Sequence, residues 1–382
     1  MSATATLLSM RRRHALMLAA ACAASPCSLL AAELASSPGA TADSASQARR
    51  RQVVAQAIAH AVAQAPLAHA VLVEQRRQLL AETHFTAEDK PAGDWFARTV
   101  SFDAGTLHDM RSISKSVVAL LVGIAHGQGR IDAERPVMDW FPEHASLATP
   151  LRQAMRLQHL LSMTAGLDWD ESTLSYASPG NSETRMGLTL DPVGYVLSRD
   201  MVAAPGQRFE YSGGVTLLLA AILERATGLP IDDYARKQLF APLGIEAFEW
   251  RHPVLWGKPL PYSGLRLTPR SMIGLGRLVL DEGRHADKLI VPAGWLAQLQ
   301  RPHVAHTGRG LGYGWQWWVG RIERGAAAGT GWVAGLGHGA QVLRVVPALD
   351  ATLALTAGQY NSPAGVQASL AICRRVIEAL AG

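Results

Sequence analysis

Apolar and polar positions alternate along the chain with spacings that identify successive elements. From Arg49 onward, Val53, Val54, Ile58 and Val62 recur at helical intervals, and the segments 68–74 and 79–85 then read as the two strands of a hairpin. Residues 117–125 are apolar on every face and too many for a single strand, which predicts a buried helix. From there to about residue 264 the pattern predicts loops and short helices, at 157–163, 193–198, 215–227 and 231–240. Strand patterns return at 312–319, 340–346 and 351–356, with Pro347 and Asp350 marking a turn between the last two, and a final helix is predicted over 364–379.

Strands near both termini with helices between them predict an α/β (α+β) fold, in which an antiparallel sheet is built from both ends of the chain and flanked by helices. A mainly helical region is inserted at about 131–264, the sheet part taking about 49–130 and 265–382. A binding site is expected between the two parts.

The beginning of the chain has a different character. Arg11-Arg12-Arg13 precedes an apolar run from Ala15 to Ala21 and small residues up to Ala32, the pattern of an export signal over 1–32, too short to span as an anchor. The arginine run loosely resembles a twin-arginine signal, so the general and twin-arginine routes both stay open, and the expected destination is the periplasm or the outside. Residues 33–48, rich in Ala, Ser, Thr and Gly, are expected to be a flexible tether. Net charge is +5, and residues 1–32 hold three arginines and no acid, so the remainder is nearly neutral. With no basic stripe interleaved with aromatics, no nucleic-acid partner is expected. Cys22 and Cys27 fall in the leader, leaving only Cys373 and no disulfide within the chain.

Candidate chemistry begins at Ser112-Ile113-Ser114-Lys115, at the amino end of the predicted buried helix. Three positions apart, Ser112 and Lys115 share a face. A serine hydroxyl needs a neighbour to take its proton. Lysine can do so only when neutral, which from a reference value of about 10.4 to working pH costs about 4 kcal/mol, and burial can supply that. Such a pair also needs a proton shuttle and an oxyanion hole. Tyr211, in Phe209-Glu210-Tyr211-Ser212-Gly213-Gly214, opens the next apolar helix and fits the first role. The glycines of Gly335-Leu336-Gly337-His338-Gly339-Ala340-Gln341 fit the second, since they let a substrate approach the backbone. The N–H groups of Ser112 and His338 are the expected oxyanion donors. No His-Glu-x-x-His and no cysteine cluster points to zinc, no Gly-x-Ser-x-Gly points to an α/β-hydrolase, and no metal or cofactor is expected.

These three elements, in this order, resemble the motifs of the serine β-lactamase and penicillin-binding-protein superfamily, and its class C branch in particular. Supporting phrases are Met110–Val117, His159-Leu160-Leu161-Ser162-Met163-Thr164-Ala165-Gly166-Leu167 and Phe209–Ser212, and the resemblance covers roughly residues 50–380. Within it, Leu167-Asp168-Trp169-Asp170-Glu171, Gly314-Trp315-Gln316-Trp317-Trp318 and Gly337–Gln341 are similar to 6-aminohexanoate-dimer hydrolases and β-lactamase-fold carboxylesterases. The resemblance implies a β-lactamase/transpeptidase-like fold and a serine hydrolase that cleaves a small ester or amide through a Ser112 acyl-enzyme. Lys115 or Tyr211 would act as base and proton shuttle, and Trp169, Trp332, Gly337 and Gly339 would contact substrate. Antibiotic-directed members carry Tyr-x-Asn where this chain has Tyr211-Ser212-Gly213, and a Lys or His, a hydroxyl residue and Gly at the third motif, where this chain offers His338-Gly339-Ala340 or, by strand register, Trp332-Val333-Ala334. Those departures disfavour β-lactams, leaving β-lactamase or D-Ala-D-Ala carboxypeptidase activity as the alternative, and a non-catalytic ligand-binding protein as the alternative of another class.

Overall fold

The computed structural model describes residues 38–65, 67–253, 257–308, 310–360 and 362–381. Its centre is a sheet of seven strands in the spatial order Gly312–Tyr313, Trp318–Arg321, Gly331–Gly337, Gln341–Val346, Ala351–Ala357, Ala68–Gln75 and Gln78–His84, every neighbour antiparallel. The amino-terminal hairpin thus joins the carboxy-terminal strands directly, Val71 pairing with Leu355.

Helices cover both faces, and so the central strands run apolar without alternating. Val54 and Ile58 of the first helix, Pro38–Val62, and Ile372 and Val376 of the last, Pro363–Ala381, enclose one face with Val71, Val73, Leu353 and Leu355. The helices Ile113–Gly127 and Pro269–Leu280 pack on the other face and join the main core, which continues into the helical region. That region is built of short helices, with Gly213–Thr227 lying along Ile113–Gly127. Among the described residues no single helix is long and apolar enough to cross a membrane.

Two expectations change, and one falls outside the described residues. The first helix begins at Pro38, inside the segment assigned to a tether, because Ala, Gln and Arg between 40 and 51 favour helix over coil. Residues 1–32, read as a leader, lie outside the described residues. The single strand expected over 312–319 is two short strands around a tight loop, in which Gln316 takes a φ of 60° and Gly314 N–H donates to the Trp317 carbonyl at 2.8 Å. That loop staples sheet to helices: Ser116 Oγ donates to Gln316 O at 2.8 Å, and the Gln316 amide donates to Leu160 O at 3.0 Å.

Candidate active site

Ser112 stands at the amino end of the buried helix Ile113–Gly127, its hydroxyl making no capping bond, and lies on the wall of a cavity of about 810 Å³. The turn before it is strained, since Arg111 holds a φ of 50°. Charge anchors that turn: the Arg111 guanidinium lies 3.5 Å from Asp109 and stacks over Tyr360 at 4.8 Å, while Asp109 is fixed by Arg266 at 3.0 Å and by the Ala92 N–H at 2.7 Å. Ser114, the middle hydroxyl of the motif, accepts the Leu265 N–H at 3.1 Å and donates to Arg111 O. It thereby ties the 262–265 segment to the nucleophile turn. This brings the Tyr262 carbonyl to 3.2 Å from Lys115 Nζ, which also donates to Ser112 Oγ at 3.1 Å.

Tyr211 arrives from the opposite wall. Glu210 N–H donates to Met163 O, and Ser212 caps the helix Gly213–Thr227 through the Val215 N–H, so the residue between them is held on both sides. Its ring stacks on Trp318 at 5.6 Å and crosses Tyr313 at 6.2 Å. Its hydroxyl is hydrogen-bonded to both Ser112 and Lys115. Burial raises the Tyr211 phenol above its ordinary value, with the Lys115 charge pulling against it.

Lys115 departs from the neutral amine expected of it. Burial works to lower its pKa, but Tyr211, Glu171 and Glu183 together outweigh burial and raise it, so the side chain remains an ammonium. Glu171 Oε1 lies 3.8 Å from Nζ and Glu183 Oε2 4.0 Å. Neither glutamate is given a role by the sequence: Glu171 closes the phrase Leu167–Glu171 with none attached, and no spacing links either residue to Ser112. The one available signal is the missing amide at Gly213, which leaves a buried lysine in need of other partners.

The third element sits where expected. Strand Gly331–Gly337 lies inside the sheet, yet its neighbour Trp318–Arg321 ends opposite Ala334, so Gly335, Leu336 and Gly337 form a local edge facing the nucleophile turn. A Cβ on Gly337 would stand 2.4 Å from the Met110 carbonyl, which only glycine avoids. Gly337, His338 and Gly339 all line the cavity beside Ser112. Burial, followed by the Arg111 charge, lowers the His338 imidazole below its usual value, which keeps that side chain neutral.

Two tryptophans lie elsewhere. Trp169 is buried, donating its indole N–H to Glu171 Oε2 at 2.8 Å and packing against Tyr195, so it holds a carboxylate and does not line the cavity. Trp332 points to the far side of its strand, under the Arg344 guanidinium at 4.2 Å. Among the described residues Trp318 is the tryptophan that lines the cavity, and Trp315 and Trp317 pack in the core.

Several known proteins are similar to this chain. Over 241 residues the chain is 27% identical to a 6-aminohexanoate-dimer hydrolase of Paenarthrobacter ureafaciens, a match spanning 59% of this chain and 60% of that relative. Over 151 residues it is 29% identical to Esterase EstB of Burkholderia gladioli, spanning 37% of each. Its fold is similar to that of EstCE1, a hydrolase with promiscuous acyltransferase activity (TM-score 0.67, 17% identity, 84% of this chain and 99% of that one). It is also similar to a penicillin-binding protein from Bacillus halodurans (TM-score 0.63, 16% identity, 82% and 98%). The family model described as Beta-lactamase matches residues 54–372, which take in the Ser112 turn, Tyr211 and the Gly337 edge, and the chain belongs to that family.

Proposed function

We propose that this chain, a hydrolase of the β-lactamase family, cleaves a small ester or amide through an acyl-enzyme on Ser112. The observation that carries the reading is Lys115 Nζ donating to Ser112 Oγ at 3.1 Å on the cavity wall. Ser112 Oγ attacks the carbonyl carbon and forms the new C–O bond. Its proton passes to Tyr211 Oη as Tyr211 gives a proton to the departing alcohol or amine, so the phenol is neutral before and after. Lys115 remains cationic and stabilises the partial negative charge on Tyr211 in between. The N–H groups of Ser112 and His338 hold the developing oxyanion. Water then attacks the acyl-enzyme, and its proton returns to Ser112 Oγ by the same path, releasing the acid.

Gly213 and the absence of a hydroxyl after His338 support an ester or short amide over a β-lactam, as do the relatives named as hydrolase and esterase. The test is a panel of p-nitrophenyl esters of rising chain length, nitrocefin, a D-Ala-D-Ala peptide and 6-aminohexanoate dimer, run on the protein and on Ser112→Ala. Turnover of an ester or the dimer, lost in the variant, is expected. Nitrocefin as the fastest substrate would refute the substrate class, and equal rates in both proteins would refute the mechanism. We further propose export, on the strength of residues 1–32; recovery of the mature protein in the cytoplasm with those residues intact would refute it.

A further inference from the structure

The buried ammonium of Lys115 faces two carboxyl groups within 4.0 Å, and the oxygens turned towards it, Glu171 Oε1 and Glu183 Oε2, are buried without a hydrogen-bond partner. Two ionised carboxylates here would leave one buried negative charge unmatched by the single ammonium, a cost that one retained proton removes. Glu171 Oε2 accepts the Trp169 indole N–H at 2.8 Å and the Gly213 N–H at 2.6 Å, at the amino end of the helix Gly213–Thr227, where the helix dipole favours negative charge. Glu183 Oε2 is buried without a hydrogen-bond donor. The negative charge therefore sits on Glu171 and the proton on Glu183. Gly213 makes room for the pair: a Cβ there would stand 2.4 Å from Glu183 Oε2 and 3.2 Å from Glu171 Oε2. The space that a side chain at 213 would fill is taken by carboxyl oxygens.

We propose that Glu171 and Glu183 hold one proton between them, and that this proton sets how much negative charge faces Lys115 and Tyr211 during acyl transfer. The proposal rests on the Ser112 acyl-enzyme reading above. With the proton in place the pair carries a single charge, matched by the one ammonium, and Tyr211 can take on phenolate character. Once the proton is lost, two carboxylates oppose that character and acylation slows. The charged and titratable groups around the pair are Arg111 and Lys115 from the nucleophile turn and helix, Tyr211 from the facing wall and Tyr262 from the 262–265 segment. Burial and the neighbouring carboxyls push Tyr262 well up, Tyr211 and Lys115 are raised as well, and arginine does not titrate. Burial first, then Glu171, lifts Glu183 well above the carboxylate range, against the pull of Lys115 and Arg111. On the proposal, Glu183 is the group among these that loses its proton first as pH rises. Glu171 and Glu183 are positioning residues, acting through Lys115 and Tyr211.

The test measures the rate of Ser112 modification by a fluorophosphonate probe, read by intact-protein mass between pH 5 and 10. The wild-type rate, corrected for probe hydrolysis, is expected to fall on the alkaline side with a single ionisation. Glu183→Gln, a permanent stand-in for the protonated acid, is expected to move that fall upward by at least one pH unit. An unchanged fall would overturn the proposal. Carboxyl ¹³C NMR of glutamate-labelled wild-type protein decides independently should the variant not fold. One glutamate titrating well above the rest is expected, and all glutamates ionised at pH 6 would overturn the shared proton. No adduct on Ser112 at any pH would instead refute the acyl-enzyme reading and the catalytic role of the proton, while the NMR titration still reports whether the proton is shared.

Discussion

His108 makes the protein sensitive to acid for a reason remote from catalysis. Its ring lies in a buried stack, 4.9 Å from Phe102 and 5.6 Å from His69, and both ring nitrogens are buried without a hydrogen-bond partner. Burial first, then the neighbouring His69, His84 and Arg266, pushes its pKa down to about 3. In the unfolded chain a histidine titrates near 6.5. Between those values the unfolded chain binds a proton that the folded one refuses, so native stability falls as pH drops through that window, by about 1.4 kcal/mol per pH unit. At pH 5 the loss attributable to His108 is about 2 kcal/mol relative to pH 8. Phenylalanine has the same planar shape and no proton to gain, so His108→Phe should retain the stack and abolish this component. Urea unfolding of both proteins at pH 8 and pH 5, followed by tryptophan fluorescence, measures it. The wild type is expected to lose about 2 kcal/mol more than the variant over that interval, the other acid-sensitive groups cancelling in the difference. Equal losses would refute the reasoning.

Gly337→Ala, whose Cβ would meet the Met110 carbonyl at 2.4 Å, should displace the strand end from the nucleophile turn and lower kcat by about 10²–10³-fold with a smaller effect on KM, as steady-state kinetics on the best panel substrate would show. Gly213→Asn, which restores the side chain found in antibiotic-directed relatives, should reduce both activity and Tm in this chain, because carboxyl oxygens occupy the space; a gain of nitrocefin turnover at unchanged Tm would contradict that. Lys115→Met leaves the carboxyl pair without its counter-charge, and calorimetry at neutral pH should find a stability loss of about 3–5 kcal/mol.

The sequence makes the nucleophile helix plain because the apolar run from Val117 to Ala125 is too long for a single strand, and the structure buries all of it. Ser112, Lys115 and Tyr211 are legible for a related reason, each standing at the start of such a helix or one turn into it. The strand Gly331–Gly337 is harder to see, because glycines at 331, 335 and 337 suppress the apolar alternation that marks a strand, and those same glycines let it approach the Ser112 turn. Glu171 and Glu183 lie in loop-rich sequence with no period to betray them, and their burial is decided by Trp169 and Gly213, which only the fold brings together. The resemblance implies a substrate contact for Trp169, whereas its indole N–H, needing a buried acceptor, is what fixes its place.

The pairing of Val71 with Leu355 ties two distant parts of the chain into one sheet. The strands Ala68–Gln75 and Ala351–Ala357 lie far apart in the sequence, and contacts of such long separation form slowly. Ser112 precedes the helical region and the His338 turn follows it, so on the proposed reading a chain interrupted before residue 338 carries the nucleophile without the His338 donor opposite it. The proposed hydrolysis is therefore a property of the closed sheet and of no shorter stretch of the chain.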